Sequence, residues 1–211
     1  MAVDPQFEAR LSQFIDRQFP GSSVGAVDQL TSGASQQTFR VRTRSRDGVQ
    51  RDYALRRAQP GLVASSQGQL STSAEVALLR LAQSASVPVP NVICELEPRH
   101  DLGEGYLMEW LEGETLGHRI VKLPELAEMR ATLAYECGQT LAKIHALPVP
   151  HSLRRVLPCV SPEVLVRETW DAYIALNTPQ PMIDFTAQWL LSHLPTTVLY
   201  QQERTVMVTS C

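Results

Sequence analysis

Residues 38–57 read TFRVRTRSRDGVQRDYALRR, and this stretch decides the fold of the chain. Its two ends, TFRVRT and DYALRR, carry the aromatic and β-branched residues that are typical of strands. Asp47-Gly48 lies between them and favours a tight hairpin turn, because these residue types tolerate the backbone that such a turn needs. A further run from Val24 ends before Ser32-Gly33. The region therefore predicts three consecutive antiparallel strands.

Helices and two more strands are predicted on either side of this hairpin. Before it, apolar residues recur at helical spacing from Phe7 to Phe19, and Pro20-Gly21 then ends an opening helix. After it, Thr72 and Glu75 have capping-box spacing and predict the start of a second helix. The fourth and fifth strands are predicted in NVICELE, residues 91–97, and in GYLMEWL, residues 105–111.

The pattern beyond Gly113 is helical. One long apolar stripe is formed by Leu126, Met129, Leu133, Cys137, Leu141 and Ile144. Ser161-Pro162 occupies cap and first-turn positions of another helix, and Phe185 with Trp189 marks a last helix that ends by Pro195. A small sheet followed by a helical region predicts an α+β protein.

Composition and charge argue against several classes of partner and site. The 211 residues are 44% apolar with a net charge of −3, and the charges are dispersed, so neither nucleic acid nor a membrane is expected as a partner. No apolar run reaches about 18 residues, and Asp4 and Glu8 lie where a secretory signal would be basic. The cysteines are far apart without a CxxC pair. We expect a cytoplasmic protein without a metal site.

Five segments in this order resemble the aminoglycoside phosphotransferase and choline kinase family, which has a protein-kinase-like fold. They are LTSGASQQTFRVR, DYALRRA, TSAEVALLRLA, YLMEWLEGETL and ECGQTLAKIHAL. The resemblance spans roughly residues 30–195. It implies a complete small N-terminal lobe, an antiparallel sheet plus helix, in residues 1–112 that binds the nucleotide, and a partial helical C-terminal lobe in residues 113–211. The implied activity is transfer of the γ-phosphoryl group of ATP to a hydroxyl of a small molecule.

In such kinases a loop of small residues lies over the phosphates of the nucleotide, because only a backbone poor in side chains can bring its N–H groups that close. The resemblance places Ser32, Gly33, Ala34, Ser35 and Gln36 in that loop. An ordinary β-turn is the alternative, since Ser-Gly is common in turns.

The strand after the hairpin turn supplies a phosphate-binding cation in this family. Alternation along the strand places Ala54 and Arg56 on one face and Arg57 on the other. The resemblance implies that Arg56 faces the α- and β-phosphates, that Arg57 faces solvent, and that Glu75 orients Arg56. The alternatives are arginines that serve solubility at an edge strand and a Glu75 that only caps its helix.

YLMEWLEGETL resembles the segment that connects the two lobes. The resemblance implies that backbone groups of Glu109, Trp110 and Leu111 pair with the adenine edge, while Met108 and Leu111 contact the ring. A buried strand that runs into a turn at Gly113 is the plain alternative.

The family's catalytic loop, His-Gly-Asp, and its later magnesium motif follow a helix that resembles QWLLSHLP, residues 188–195. Here residues 196–211 read TTVLYQQERTVMVTSC, and the last aspartate is Asp184. We therefore assign no catalytic and no metal-binding residue, although the full-length family uses magnesium with ATP, and expect this chain to be inactive as a kinase. A non-catalytic nucleotide-binding or protein-interaction module derived from such a kinase is the alternative. The small-molecule acceptor stays unassigned.

The end of the sequence at Cys211 gives one further expectation. In the family the helical lobe packs against later elements, so apolar faces of helices at 124–147 and 181–194 should be exposed. We expect self-association through this surface.

Overall fold

The computed structural model describes residues 3–30, 36–59, 70–157 and 160–194, which fall into two compact units divided after Val156. The first unit contains five strands: β1 Ser23–Leu30, β2 Gln36–Arg44, β3 Gln50–Ala58, β4 Val92–Glu95 and β5 Gly105–Glu109. They form one antiparallel sheet in the order β1-β2-β3-β5-β4. All five predicted strands are confirmed. The lobe boundary predicted after Glu112 stays a prediction.

The described residues also form seven α-helices: α1 Pro5–Gln18, α2 Thr72–Ser84, α3 Gly117–Lys122, α4 Ala127–His145, α5 His151–Arg154, α6 Pro162–Ala175 and α7 Pro181–Ser192. Short 3-10 turns precede β5 and α4, at Pro98–His100 and Pro124–Leu126. No helix in the described ranges is both long and apolar enough to cross a membrane. The predicted order of helices is confirmed.

The β2–β3 hairpin turns where the sequence predicts it. Gly48 has a φ of 80°, a left-handed conformation that glycine adopts without a steric penalty. Its N–H donates to the carbonyl of Ser45 at 2.9 Å and closes the turn. The register that follows pairs Arg40 with Ala54 and Thr38 with Arg56, so these side chains share one face of the sheet.

The other face of the sheet packs on α1 and forms the main core. Asp4 caps α1 by accepting from the N–H of Gln6 at 3.0 Å, and Pro5 begins the helix without losing a hydrogen bond. The buried stripe of α1 consists of Phe7, Leu11, Phe14 and Ile15. It meets the inward side chains of the central strands, Phe39, Val41, Tyr53, Leu55 and Leu107.

The N-cap of helix α2 lies one residue before the position that the sequence predicts. Ser71 is the cap, and its hydroxyl accepts from the N–H of Ala74 at 3.3 Å. The predicted capping box between Thr72 and Glu75 is therefore wrong, because Ala74 occupies the position that would close the box. The side chain of Glu75 is left free to bond elsewhere.

The helical part carries large apolar side chains on its surface. No residue of α4 is buried, so the predicted apolar stripe of this helix is not part of a core. In the second unit, Trp170 of α6 donates its indole N–H to Asp184 of α7 at 2.8 Å and joins the two helices. On α7, Phe185 is 62% and Trp189 49% exposed. These exposed faces agree with the expectation from the sequence, while self-association stays a prediction.

Gly105 fixes the contact between β5 and β3. A Cβ atom at this position would clash with the backbone oxygen of Arg56 and would lie 2.8 Å from the Cβ atom of Arg57. We expect Gly105→Ala to lower the free energy of unfolding by about 1–3 kcal/mol through overpacking. Gly113→Ala is the matched control, because a Cβ atom there meets nothing within 4 Å. Equal urea midpoints for the two variants would contradict this role of Gly105.

Candidate functional site

Arg56, Glu75 and Gln36 form a polar cluster on the face of the sheet opposite α1. An Nη2 atom of Arg56 lies 3.3 Å from Oε1 of Glu75. Gln36 accepts from Nε of Arg56 with its amide oxygen and donates its amide N–H to the other oxygen of Glu75 at 3.4 Å. Arg56 remains 30% exposed. The pairing of Arg56 with Glu75 that the resemblance implied is present in the structure.

Tyr106 completes this cluster, and the sequence reasoning missed it. Its position on β5 pairs with Arg56 on β3, and its side chain is 2% exposed. Burial, together with the charge of Glu75 and a hydrogen bond to it, raises the pKa of Tyr106. The phenol therefore stays neutral beside Glu75 at neutral pH. The sequence does contain a signal for this position. Tyr106 is two residues from Met108 on the same strand, so the two side chains lie on one face of the sheet.

Arg57 does not face solvent, and the expectation that it does is wrong. Its guanidinium carbon lies 4.0 Å from the ring centroid of Phe7 on α1. Its Nε donates to Gln37 at 2.9 Å, and its Nη1 donates to the carbonyl of Leu102 at 3.1 Å. Burial lowers the pKa of Arg57. Alternation alone assigned it to the face opposite Arg56, but α1 covers that face.

The remaining predicted site residues divide into two groups. Ala54 is buried between Arg40 and Met108 in the sheet register, on the same face as Arg56. Met108 and Glu109 are half-buried on β5, whereas Leu111 is 58% exposed. The predicted phosphate-loop residues Ser32, Gly33, Ala34 and Ser35 lie outside the described residues.

Trp110 stacks on Arg40, a contact that the sequence did not predict. The guanidinium carbon of Arg40 lies 4.5 Å from the centroid of the Trp110 ring. Asp52 and Glu112 both pair with the same guanidinium and raise its pKa, and the hydrogen bond that Arg40 donates to Asp52 contributes most. The segment after β5 is thereby joined to β2.

A small cavity lies away from this cluster, at the other end of the hairpin. Its volume is about 250 Å³, and Phe19, Thr43, Ser45 and Tyr53 are among its lining residues. The hydroxyl of Ser45 is buried without a hydrogen-bond partner among the described residues. None of the predicted site residues lines this cavity.

Metal ligation finds no support among the residues described here, since no three histidine, cysteine or acidic side chains come together in a group that could hold an ion. Cys94 and Cys137 are free thiols. Burial raises the pKa of Cys94 to about 11, so this thiol is not a ready nucleophile at neutral pH.

The chain belongs to the phosphotransferase enzyme family, whose sequence model matches residues 26–207. A search of curated proteins finds no match. Among solved structures, the fold is similar to that of a protein from Ralstonia eutropha JMP134 that is provisionally named as an aminoglycoside phosphotransferase, with a TM-score of 0.58 and 21% identity. The match covers 90% of this chain and 54% of that protein, so the chain spans about half of its length. The predicted family and the kinase-like fold are confirmed.

Tyr106 gives a prediction for alkaline pH. The folded state raises the pKa of this phenol above its unfolded value of about 10, so unfolding releases a proton and the free energy of unfolding falls as pH rises past about 10. We expect Tyr106→Phe to remove part of this loss. Urea denaturation from pH 8 to pH 11.5 measures it.

The matched control for this experiment is Tyr135→Phe, because Tyr135 is 71% exposed. It should retain the alkaline loss of the unsubstituted protein. An identical pH profile for the Tyr106 and Tyr135 variants would contradict the burial argument.

Proposed function

We propose that this chain binds ATP with its first unit and represents the nucleotide-binding half of a small-molecule phosphotransferase. The single observation that carries the proposal is the Arg56–Glu75 ion pair, with Gln36 bonded to both partners. A phosphotransferase of this fold uses such a cation to hold the α- and β-phosphates.

The geometry of the cluster suits phosphate recognition. Glu75 and Gln36 fix the orientation of the guanidinium, and the exposed part of Arg56 is available for a bidentate contact with phosphate oxygens. Gln36 is the first residue of β2 and also the last residue of the proposed phosphate loop, residues 32–36. Tyr106 lies on the buried side of this cluster, where the charge of Glu75 helps to keep its phenol neutral.

The base is proposed to bind along the same face of the sheet. Ala54 is adjacent to Arg56 on that face, and Met108 is paired with Ala54 on β5. Backbone groups of Glu109, Trp110 and Leu111 would then pair with the adenine edge. A small residue such as Ala54 leaves room for a flat ring to approach the sheet.

We further propose that residues 1–211 bind the nucleotide without transferring its phosphoryl group. The sequence contains no His-Gly-Asp segment, and Asp184, its last aspartate, accepts a hydrogen bond from the indole N–H of Trp170 in the second unit. In the family an aspartate accepts the proton of the acceptor hydroxyl, and magnesium stabilises the developing charge. Magnesium and the small-molecule acceptor would accordingly need ligands that we do not assign here.

Nucleotide binding is tested with Arg56→Ala. We expect ATP affinity to fall about 10-fold to 100-fold, because a hydrogen-bonded charge contact contributes about 1.5–3 kcal/mol. Isothermal titration calorimetry gives the dissociation constant. Arg42→Ala is the matched control, since Arg42 lies on the same face but pairs with Asp28 at 2.7 Å.

The result that would overturn this assignment is equal ATP affinity for the Arg56 and Arg42 variants. Absence of measurable ATP binding by the unsubstituted chain would overturn the proposed function itself.

The lack of transfer is tested separately. We expect no ADP to form above the buffer rate when the chain is incubated with ATP, magnesium and a mixture of hydroxylated small molecules, because the sequence after residues 188–195 contains no aspartate that could accept the hydroxyl proton. Chromatographic detection of ADP is the measurement. ADP formation that disappears in the Arg56→Ala variant would contradict the expectation and would instead show catalysis by this chain.

A further inference from the structure

Arg40 is the centre of a second charged cluster on the same face of the sheet. Its Nε and Nη2 atoms lie 2.6 Å and 2.5 Å from one carboxylate oxygen of Asp52 on β3. The same Nη2 atom lies 2.6 Å from Oε1 of Glu112. The guanidinium therefore connects the sheet to the segment that follows β5.

Trp110 is held by this guanidinium rather than by a hydrogen bond of its own. The Arg40 guanidinium lies over the indole ring at 4.5 Å from its centroid. In the described part of the chain, the buried indole N–H has no acceptor. Stacking on a cation is the polar contact that fixes the ring.

The position of Arg40 in the sheet register shows which segment its contacts with Trp110 and Glu112 hold in place. Arg40 on β2 pairs with Ala54 on β3, and Ala54 pairs with Met108 on β5. Trp110 and Glu112 follow β5, yet both contact Arg40, which lies two strands away. Residues 110–112 are thus held close to Arg40, Ala54 and Met108, the row of side chains along which the base is proposed to bind.

Residues 110–116 form neither a helix nor a strand. Ordering such a segment at the moment of ligand binding would weaken affinity, because the lost conformational freedom opposes association. A segment that is already fixed by one ion contact, from Glu112, and by the stacked ring of Trp110 avoids most of this loss. Arg40 is only 26% exposed and Asp52 only 23%, so their contact is not a fully solvated surface pair.

We propose that Arg40 is a positioning residue for the nucleotide base: it fixes residues 110–112 so that the backbone of 109–111 is ready to pair with the base, and it does not contact the phosphates. This inference rests on the proposed function. The inference goes beyond the proposed function, because it gives a role in base recognition to a residue on β2 that the nucleotide itself does not contact.

The experiment compares two ligands that differ in the base. Dissociation constants for ATP and for inorganic triphosphate are measured with the unsubstituted chain, Arg40→Ala, Arg42→Ala and Arg56→Ala. We expect Arg40→Ala to weaken ATP about fivefold to tenfold and to leave triphosphate within about twofold. Arg56→Ala should weaken both ligands, and Arg42→Ala neither.

A second variant covers the case in which Arg40→Ala fails to fold. Glu112 is 72% exposed, so Glu112→Gln removes one of the two ion contacts with little risk to the sheet. It should weaken ATP by a smaller factor in the same direction, again without an effect on triphosphate.

Three results would overturn the inference. Equal losses for ATP and triphosphate in Arg40→Ala would show a general structural role. If Arg40→Ala and Arg42→Ala bound ATP equally well, the contacts of Arg40 with residues 110–112 would have no role in base binding, while the proposed function would stand. No ATP binding by the unsubstituted chain would remove the proposed function and this inference together.

Discussion

The alternation of side chains along β3 is the constraint on which the core and the candidate site both depend. Tyr53 and Leu55 point into the core under α1, while Ala54 and Arg56 point to the opposite face. A slip of one residue would bury Arg56 and expose Leu55, because successive side chains of a strand lie on opposite faces. Gly105 secures the register, since only a glycine lets β5 approach β3 this closely.

Arg56 and Arg57 show how the surroundings of a side chain decide its role. The two residues are adjacent and chemically identical, yet Arg56 pairs with Glu75 while Arg57 lies over Phe7 and bonds to the carbonyl of Leu102. Arg57 thus joins β3 to α1 and to the loop before β5. Arg56 keeps part of its surface open, and so only Arg56 is suited to receive a ligand.

The charged and polar contacts of the first unit gather on one face of its sheet. This face of the first unit carries Arg56, which is fixed by Glu75, and the buried phenol of Tyr106. Residues 110–112, which Arg40 holds in place, lie on the same face. Phosphoryl transfer in this fold relies on positioning and electrostatic stabilisation, which divide between a nucleotide side and an acceptor side. The solved structure with a similar fold matches this chain over 54% of its own length.

Turn chemistry, side-chain alternation and ordered motifs can be read along the chain, and they predicted the strands, the hairpin at Asp47-Gly48 and the family. The pairing of Arg56 with Glu75 was implied by the resemblance to that family and is present in the structure. Only the tertiary structure placed Tyr106 beside Glu75, covered Arg57 with α1 and brought Arg40 to Trp110. These contacts join residues that are far apart in the sequence. No local pattern contains them, because they exist only when the strands pair in one register and the helices cover particular faces of the sheet.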